Sequence, residues 1–440
     1  MRIVLAVAVL ALLAALGWGF IAGAAPAAPR PQDLTAPVSD AWRAALPADP
    51  DAAAAAYLDR VPAEMRARGE AVSQTRYYVF SSRIVLTIGA ILLFLFSGAA
   101  SALAAFLARR VKWLWLQDML FAGAFFAILY ATLLPVDVFA GYVRARHFGF
   151  ADRAFLDWQH DHILNWAIIT AFYVVGIAAF MALMRRKPNS WIAWAAAIYL
   201  SLAALYVIVT PTLIEPLFNT YAPLPESPMK QEILSIARAN DVPANDVYTG
   251  DASRQSRLLN AHVSGLFGTA RISLDDNTLR DAFPPSVRFV MAHEIAHYVL
   301  GHIFNYVVLL SAIAAIGFAL IGWMGQLLVR SFGLRWKIAD LRDTAGIAVF
   351  WLIFAAYSFA SLPVTNAYSR WEEHQADLYG LNASQEPHGM AEFMIHDADT
   401  ARLSPTRLDV FLFYTHPSDK SRVETAMRWR AEHLASNAAK

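Results

Sequence analysis

Residues 292–298 read AHEIAHY, an H-E-x-x-H pattern preceded by the tandem prolines 284–285. Tandem prolines end a preceding segment and open a helix, so we place the pattern inside one. Four residues advance a helix by about 400°, which leaves His293 and His297 roughly 40° apart on one face. Two imidazoles one turn apart suit a single metal ion, and Glu294 lies close enough to take a proton from a water held by that ion.

The pattern alone leaves open whether the two histidines are ordinary helix residues. Three fixed residues recur by accident in about one chain in a hundred of this length, so a third ligand is needed to decide. His302 is not suited to that role. On a continuous helix it would lie about 140° from His297 and about 180° from His293, and it could not share their metal.

Composition predicts a membrane protein. Of the 440 residues, 58% are hydrophobic and 16% charged, and the mean hydropathy is +0.40, well above the values of a soluble domain. Runs long enough to cross a bilayer lie at Ile3–Ala24, Ile84–Leu107, Met119–Phe139, Ile163–Met184, Trp191–Ile214, Tyr306–Val329 and Ala345–Leu362. We therefore expect seven crossings if the first run is retained.

The first run, within residues 1–24, has two interpretations. It is either a retained transmembrane helix or a secretory signal, because Arg2, a Leu/Ala/Val core and the small residues 24–27 also fit a signal with a cleavage site. Both interpretations stay open at this point.

Charge placement says more than the net charge. The formal net charge of +1 provides no field for nucleic acid or an acidic partner. Basic turns follow the second, fourth and sixth runs, and the positive-inside rule places the face that carries them in the cytoplasm and the opposite face outside. These turns contain Arg109, Arg110, Lys112, Arg185, Arg186, Lys187, Arg330, Arg335, Lys337 and Arg342. The absence of cysteine excludes disulfides, thiolate ligands and a cysteine nucleophile.

A folded insertion follows the fifth run, where prolines end the helix. Helical spacing covers Met229–Ala239, and residues 246–249, 258–263 and 270–274 favour short strands. A small sheet before a metal-binding helix could receive an extended peptide along an exposed strand edge. Asn260 and Ala261 are the candidates for that edge, and a purely structural hairpin is the alternative.

The third ligand is predicted in residues 369–377, after the seventh run. Two crossings separate this segment from His297, so both return to the same membrane face. Glu373 can ligate the metal, and Asp377, one turn further on, can accept a hydrogen bond from a ligand histidine. Glu372 and His374 are rivals by composition, and a plain amphipathic helix with surface carboxylates is the alternative to any site.

Two further cations belong to the carboxyl-terminal part of the chain. His416 precedes a last helix, and Arg422 lies within it. In a hydrolase, either could stabilise the oxyanion of a tetrahedral intermediate, since preformed donors aimed at developing charge contribute several kcal/mol. Spacing alone supports this only weakly.

Taken together, these segments resemble the integral-membrane CAAX prenyl endopeptidases, which are zinc proteases of the gluzincin type. The matching segments occur in the order found in that family and fall in roughly the carboxyl-terminal half of the chain. They are 214–219 with 223–224, 260–261, 293–302 read as H-E-x-x-H-x-x-x-G-H, 369–377, and His416-Pro417 with Arg422. His262 departs from the pattern, because the family tends to carry an aromatic residue there.

The resemblance implies a mainly α fold: a seven-helix membrane bundle around a water-filled chamber, with a zincin-type catalytic domain that carries a small β-sheet. It implies one Zn2+ held by His293, His297 and Glu373, with Glu294 as general base. His416 and Arg422 would steady the oxyanion, and Asn260 and Ala261 would hold the main chain of the substrate. Family members release the last three residues of an isoprenylated tail.

The predicted segmentation follows from these assignments. The segments are the first helix or signal at 1–24, a loop with short helices at 25–83, transmembrane helices at 84–215, the catalytic insertion at 216–303, two transmembrane helices at 304–365 and the last catalytic helices at 366–440. The expected partners are a polypeptide substrate, prenylated or membrane-associated, and the lipid bilayer, with no nucleic acid.

Three alternatives to a prenyl protease stay open. An outward catalytic face would favour quality control of membrane or exported polypeptides, since CAAX processing is cytosolic. A catalytically inactive, chaperone-like binding protein is disfavoured by the intact motif residues. A transporter is suggested only by the number of crossings, and few ionisable residues lie at mid-bilayer depth.

Overall fold

The computed structural model describes residues 2–24, 37–264 and 271–438. The fold is mainly α, as predicted, with a small mixed sheet. The helices are α1 (Arg2–Ala24), α2 (Asp40–Ala44), α3 (Pro50–Asp59), α4 (Ala63–Phe96), α5 (Ala99–Ala108), α6 (Leu114–Asp137), α7 (Arg144–His147), α8 (Phe155–Arg186), α9 (Trp191–Val209), α10 (Pro228–Ala239), α11 (Asp276–Asp281), α12 (Pro284–Val299), α13 (His302–Trp336), α14 (Gly346–Ser384), α15 (Pro387–His396), α16 (Arg407–Phe413) and α17 (Asp419–Ala438). The strands are β1 (Tyr221–Pro223), β2 (Val247–Gly250), β3 (Ala261–Ser264) and β4 (Arg271–Asp275).

Six helices in the described ranges are long and apolar enough to cross a membrane. They are α4, α6 with its continuation to His147, α8, α9 with its continuation to Leu217, α13 and α14. The sequence predicted seven crossings. The first predicted run is helical from Arg2 to Ala24 and is not among these six.

The second predicted run, Ile84–Leu107, is not one straight crossing. Its helix ends at Phe96, and Gly98 has a φ of +73°, a left-handed conformation that glycine adopts without steric cost. A short apolar helix, α5, then starts in a new direction. At its other end, α4 begins at Ala63, about six turns before the apolar run, so it also extends beyond the bilayer.

The basic turns meet at one end of the bundle, as the sequence predicted. The guanidinium of Arg185 donates to both carboxylate oxygens of Asp118 at 2.5 and 2.9 Å and to the carbonyl of Arg342 at 2.9 Å. Asp118 is fully buried and also accepts a hydrogen bond from Thr344 at 2.8 Å. These contacts join the α5–α6, α8–α9 and α13–α14 connections at the end opposite His302, where α13 begins.

The four-stranded sheet has the order β1-β2-β4-β3, with β2 and β4 parallel and the outer pairs antiparallel. Three of its strands were predicted to within a few residues. Strand β1 was not predicted. It contains Pro223, and at a sheet edge a proline breaks no ladder on its open side. Strand β3 forms the other edge, so Ala261 lies on an edge strand, with its side chain buried.

One long helix joins the membrane part to the catalytic part. The 39-residue α14 runs from the basic end of the bundle to Ser384 without a break and packs along α12. The predicted segment boundary at residues 365–366 falls inside α14, and the boundary at 83–84 falls inside α4. The predicted segmentation stays a prediction. Helices α4 and α14 continue without interruption across two of its boundaries.

Candidate metal centre

Helix α12 presents the two histidines of the motif on one face. It begins at Pro284, as predicted, and the Nε2 atoms of His293 and His297 lie 3.2 Å apart. Helix α14 comes close to this face because Gly380 has no side chain. A Cβ at Gly380 would lie 3.1 Å from the backbone nitrogen of His293, tighter than most real contacts. The close crossing of the two helices places the residues two turns earlier on α14 beside the histidines.

Glu373 is the carboxylate that reaches the histidine pair. Its Oε2 lies 3.2 Å from Nε2 of His293, and its Oε1 lies 3.6 Å from Nε2 of His297. Ligand atoms of these three residues all lie within 4.8 Å of one another. The rivals are placed elsewhere: His374 is exposed, and Glu372 is not a member of this group.

The three residues fit a zinc ion. Two imidazole nitrogens and one carboxylate are a common donor set of hydrolytic zinc sites, and ligands at about 2.0–2.2 Å from a tetrahedral ion lie ~3.4 Å apart. The separations of 3.2 and 3.6 Å agree with that spacing. In addition, Oε2 of Glu373 is buried with no hydrogen-bond partner, which leaves it free to ligate a cation.

Asp377 and Arg422 support His293 from behind. An oxygen of Asp377 lies 3.0 Å from Nδ1 of His293, on the side of the ring away from the other ligands. Arg422 on α17 donates hydrogen bonds to the same carboxylate from Nε at 2.9 Å and from Nη2 at 2.5 Å. Asp377 therefore lies within hydrogen-bond distance of a predicted ligand histidine, a position from which a carboxylate can fix the tautomer and orientation of the ring. The contact from Arg422 to Asp377 was not anticipated.

His302 supports the second histidine in the same way. Its Nδ1 lies 3.0 Å from Nδ1 of His297, and its side chain is buried. His302 is not a member of the ligand group, as predicted, but it does not lie on the same continuous helix as the sequence analysis assumed. Helix α12 ends at Val299, and Gly301, with a φ of +68°, turns the chain before α13 begins. The glycine before His302 was the available signal.

Glu294 faces a large chamber beside the ligands. Burial raises the pKa of its carboxyl group to about 7, while the nearby positive charge of His293 opposes that shift. Any cation held by the three ligands would add positive charge beside Glu294 and favour its carboxylate form. Glu294 is thus placed next to the metal position without being a ligand.

The chamber extends from the metal centre into the helix bundle. Its volume is about 850 Å³, and its floor includes His293, Glu294, His297 and Glu373. Helices α8, α9, α13 and α14 supply an apolar and aromatic upper wall, with Phe172, Tyr173, Tyr199, Tyr206, Trp351 and Phe354. A volume of this size accommodates several residues of an extended peptide or a long apolar group.

Comparison with known proteins agrees with this geometry. The sequence profile of peptidase family M48 matches residues 223–430, and that of the CAAX prenyl protease amino-terminal region, with five membrane helices, matches residues 59–220. Together the two profiles span most of the chain. The chain belongs to peptidase family M48. It is a membrane metalloendopeptidase, which sets aside the transporter and the inactive chaperone-like protein as primary interpretations.

Individual relatives are distant but extensive matches to this M48 peptidase. An uncharacterized metalloprotease of Bacillus subtilis, YhfN, is 25% identical over 367 residues, covering 83% of this chain and 86% of the relative. CAAX prenyl protease 1 of Saccharomyces cerevisiae is 24% identical over 336 residues, covering 72% and 73%. The crystal structure of S. mikatae Ste24p has a TM-score of 0.71 at 20% identity and covers 96% of this chain and 98% of that one. The last match establishes the fold.

In this M48 peptidase, His416 completes the open side of the site. Its Nε2 lies 3.3 Å from Oε1 of Glu373, and it lines the chamber. Arg422 is placed differently: its bonds to Asp377 use Nε and Nη2, and the chamber wall among the described residues does not include it. His416 is therefore the better placed of the two predicted oxyanion groups.

The exposed strand edge of this M48 peptidase also opens into the chamber. Asn260 and Ala261 both line it. Both main-chain groups of Asn260 already form hydrogen bonds within the protein. Its carbonyl accepts from the Asp275 amide, and its amide donates to the Thr278 hydroxyl. Because hydrogen bonding alternates along an antiparallel strand, the next residue, Ala261, points its main-chain groups to the free side. Ala261 therefore has main-chain groups free on the chamber side, while Asn260 has an exposed side chain.

Proposed function

We propose that this protein is a zinc endopeptidase that hydrolyses polypeptides within the membrane chamber. The observation that carries the proposal is the convergence of His293, His297 and Glu373 on one point in the chamber floor. A zinc ion held by these three residues would polarise the scissile carbonyl and the attacking water. One ion per chain is proposed, since the described residues contain this one group of three ligands.

The residues of the chain perform the proton transfers. Glu294 takes a proton from the attacking water as its oxygen bonds to the carbonyl carbon, and later delivers that proton to the leaving amine as the C–N bond breaks. His416 donates to the oxyanion from the open side of the site. Arg422 acts mainly by holding Asp377, and its remaining Nη1 is the group left to assist the oxyanion.

Substrates are proposed to enter as extended chains and pair with the free edge at Ala261. Main-chain pairing binds many sequences, because it uses atoms that every peptide has. The aromatic upper chamber supports an apolar group as part of the substrate. Since several relatives are named CAAX prenyl protease 1, the first candidate substrate is an isoprenylated carboxyl-terminal tail.

A second candidate function is quality control of membrane or exported polypeptides. It is favoured by the basic turns, which gather around Arg185 at the end of the bundle opposite the metal centre. The positive-inside rule then places the metal centre on the extracytoplasmic face of a multi-pass membrane protein. A reporter fused after Lys440 is expected to be active only when exported, and a cytoplasmic signal would restore the prenyl protease as the better fit.

One assay tests the proposal and separates the two candidates. The purified protein is given a farnesylated CAAX peptide and its unmodified counterpart, each with and without a zinc chelator. We expect chelation and the Glu294→Gln substitution each to abolish cleavage. Preference for the farnesylated peptide supports the first candidate, and equal cleavage supports the second. Cleavage that survives both treatments would contradict the mechanism.

A further inference from the structure

Glu372 is a buried carboxylate that the proposed mechanism does not use. It precedes the ligand Glu373 on α14, is 5% exposed and lines the chamber. Its Oε1 is buried and has no hydrogen-bond partner. A buried carboxylate oxygen without a donor is unfavourable in a folded protein and is rare unless a ligand supplies the missing bond.

No cation of the chain neutralises Glu372. Its polar neighbours are the hydroxyl groups of Tyr368 and Tyr306 and the carboxylate of Glu373. Across residues 2–24, 37–264 and 271–438, no Lys or Arg forms an ion pair with it. Other buried carboxylates do have such partners: Asp118 has Arg185, and Glu392 has Arg60.

The lining of the chamber as a whole also contains carboxylates without basic partners. Three of its lining residues are carboxylates, Glu294, Glu372 and Glu373, and the described lining contains no Lys or Arg. A divalent ion at the metal centre would balance Glu373 and the general base Glu294. Glu372 would remain without a compensating cation, in a cavity with largely apolar walls where a positively charged group is attracted to a carboxylate.

We propose that Glu372 forms a subsite for a basic side chain, lysine or arginine, of the substrate close to the scissile bond. This inference rests on the proposed peptidase function and adds a substrate class to it. Because Glu372 lines the same chamber as the metal ligands and is close enough to Glu373 for their charges to interact, the substrate residue that it contacts would lie near the bond being cleaved. Glu372 acts as a specificity-determining residue: it binds substrate and takes no part in proton transfer.

The test uses matched peptides that differ at one position near the scissile bond. That position carries lysine, Nε-acetyl-lysine or glutamate, and it is varied in turn on each side of the bond. We expect one position at which lysine raises kcat/KM at least ~10-fold over acetyl-lysine, which has the same length without the charge, because a hydrogen bond to a charged group is commonly worth that much. Glutamate at that position should give the slowest cleavage.

Variants assign this preference to Glu372. In Glu372→Gln, the ratio of lysine to acetyl-lysine should fall to near one while the acetyl-lysine peptide is still cleaved and zinc content is unchanged. Glu372→Asp should keep part of the preference. Glu64→Gln, an exposed carboxylate on α4, should keep all of it. Binding of the same peptides to Glu294→Gln, which retains the three ligands, should show the lysine preference without turnover.

The outcomes separate the inference from the function on which it rests. Cleavage of all peptides with equal kcat/KM by the wild-type protein would overturn the lysine subsite and leave the peptidase standing. A lysine preference that persists in Glu372→Gln would also overturn it. No cleavage of any peptide by the zinc-loaded protein, together with equal binding to Glu294→Gln, would overturn both.

Discussion

His293 lies between two carboxylates with different tasks. Glu373 approaches its Nε2 from the metal side, and Asp377 approaches its Nδ1 from behind. Helical spacing predicted that Asp377 lies one turn from Glu373 on α14, and the family resemblance pointed to Glu373 in preference to Glu372 and His374. The support from His302 could not be predicted in the same way. It depends on the break at Gly301, which changes the direction of the chain between two helices.

Glu294 is expected to be needed for turnover and not for zinc binding. Glu294→Gln removes the proton acceptor and keeps the shape of the side chain, so kcat should fall by about 10²–10⁴-fold or more. Zinc content, measured by mass spectrometry of the metal, should stay at the wild-type level. Loss of zinc in this variant would indicate that Glu294 is a ligand, contrary to its placement.

His302 is expected to tune zinc affinity. His302→Ala removes the contact with Nδ1 of His297, and loss of such an outer partner typically weakens metal binding by about 10–100-fold. Competition with a chromogenic chelator measures the effect. His374→Ala is the matched control, since His374 is exposed on α14 and should leave affinity unchanged. Equal affinities in the two variants would show that His302 has no role at the metal.

At the scale of elements, the site depends on how closely α12 and α14 approach each other. The sequence predicted both helices and the ligand on each, but not their crossing, which requires the missing side chain of Gly380 against His293. Strand β1 was missed and the second apolar run was taken as one helix. Strand β1 contains Pro223, which is tolerated because the strand lies at the sheet edge. The second run is divided at Gly98, whose left-handed backbone conformation ends α4.

Gly380→Val is expected to separate the two ligand helices. The added side chain would meet the backbone of His293, and overpacking of this kind destabilises by about 1–3 kcal/mol. Thermal unfolding in detergent should show a lower midpoint, and zinc affinity should fall with it. Gly89→Ala is the control, because nothing lies within 4 Å of a Cβ there. Unchanged zinc affinity in Gly380→Val would mean that α12 and α14 can accommodate a larger side chain where they cross.

At the scale of the whole molecule, the two ends of the bundle have separate tasks. One end holds the metal centre, and the other is fastened by Arg185, Asp118 and Thr344. Composition predicted the membrane bundle, and counting crossings predicted that the basic turns share one end. The chamber could not be predicted from local patterns, because its wall combines residues from four helices that are far apart in sequence.

Asp118→Asn is expected to destabilise the bundle and leave the metal centre intact. Breaking a buried ion pair from one side typically costs about 3–5 kcal/mol, because the other charge stays buried without its partner. The unfolding midpoint in detergent should fall, while zinc affinity at 20 °C stays at the wild-type level. Asp40→Asn, at an exposed carboxylate, should change neither. A loss of zinc affinity in Asp118→Asn would show that the two ends are coupled.

The central claim is that three side chains from two helices hold one zinc ion in the chamber floor. It is tested most directly by the zinc content and X-ray absorption spectrum of the purified protein, wild type and Glu373→Ala. The account predicts one zinc per chain, bound by two imidazole nitrogens and a carboxylate oxygen, and loss of most of that zinc in Glu373→Ala. Full zinc content with an unchanged spectrum in Glu373→Ala would contradict it.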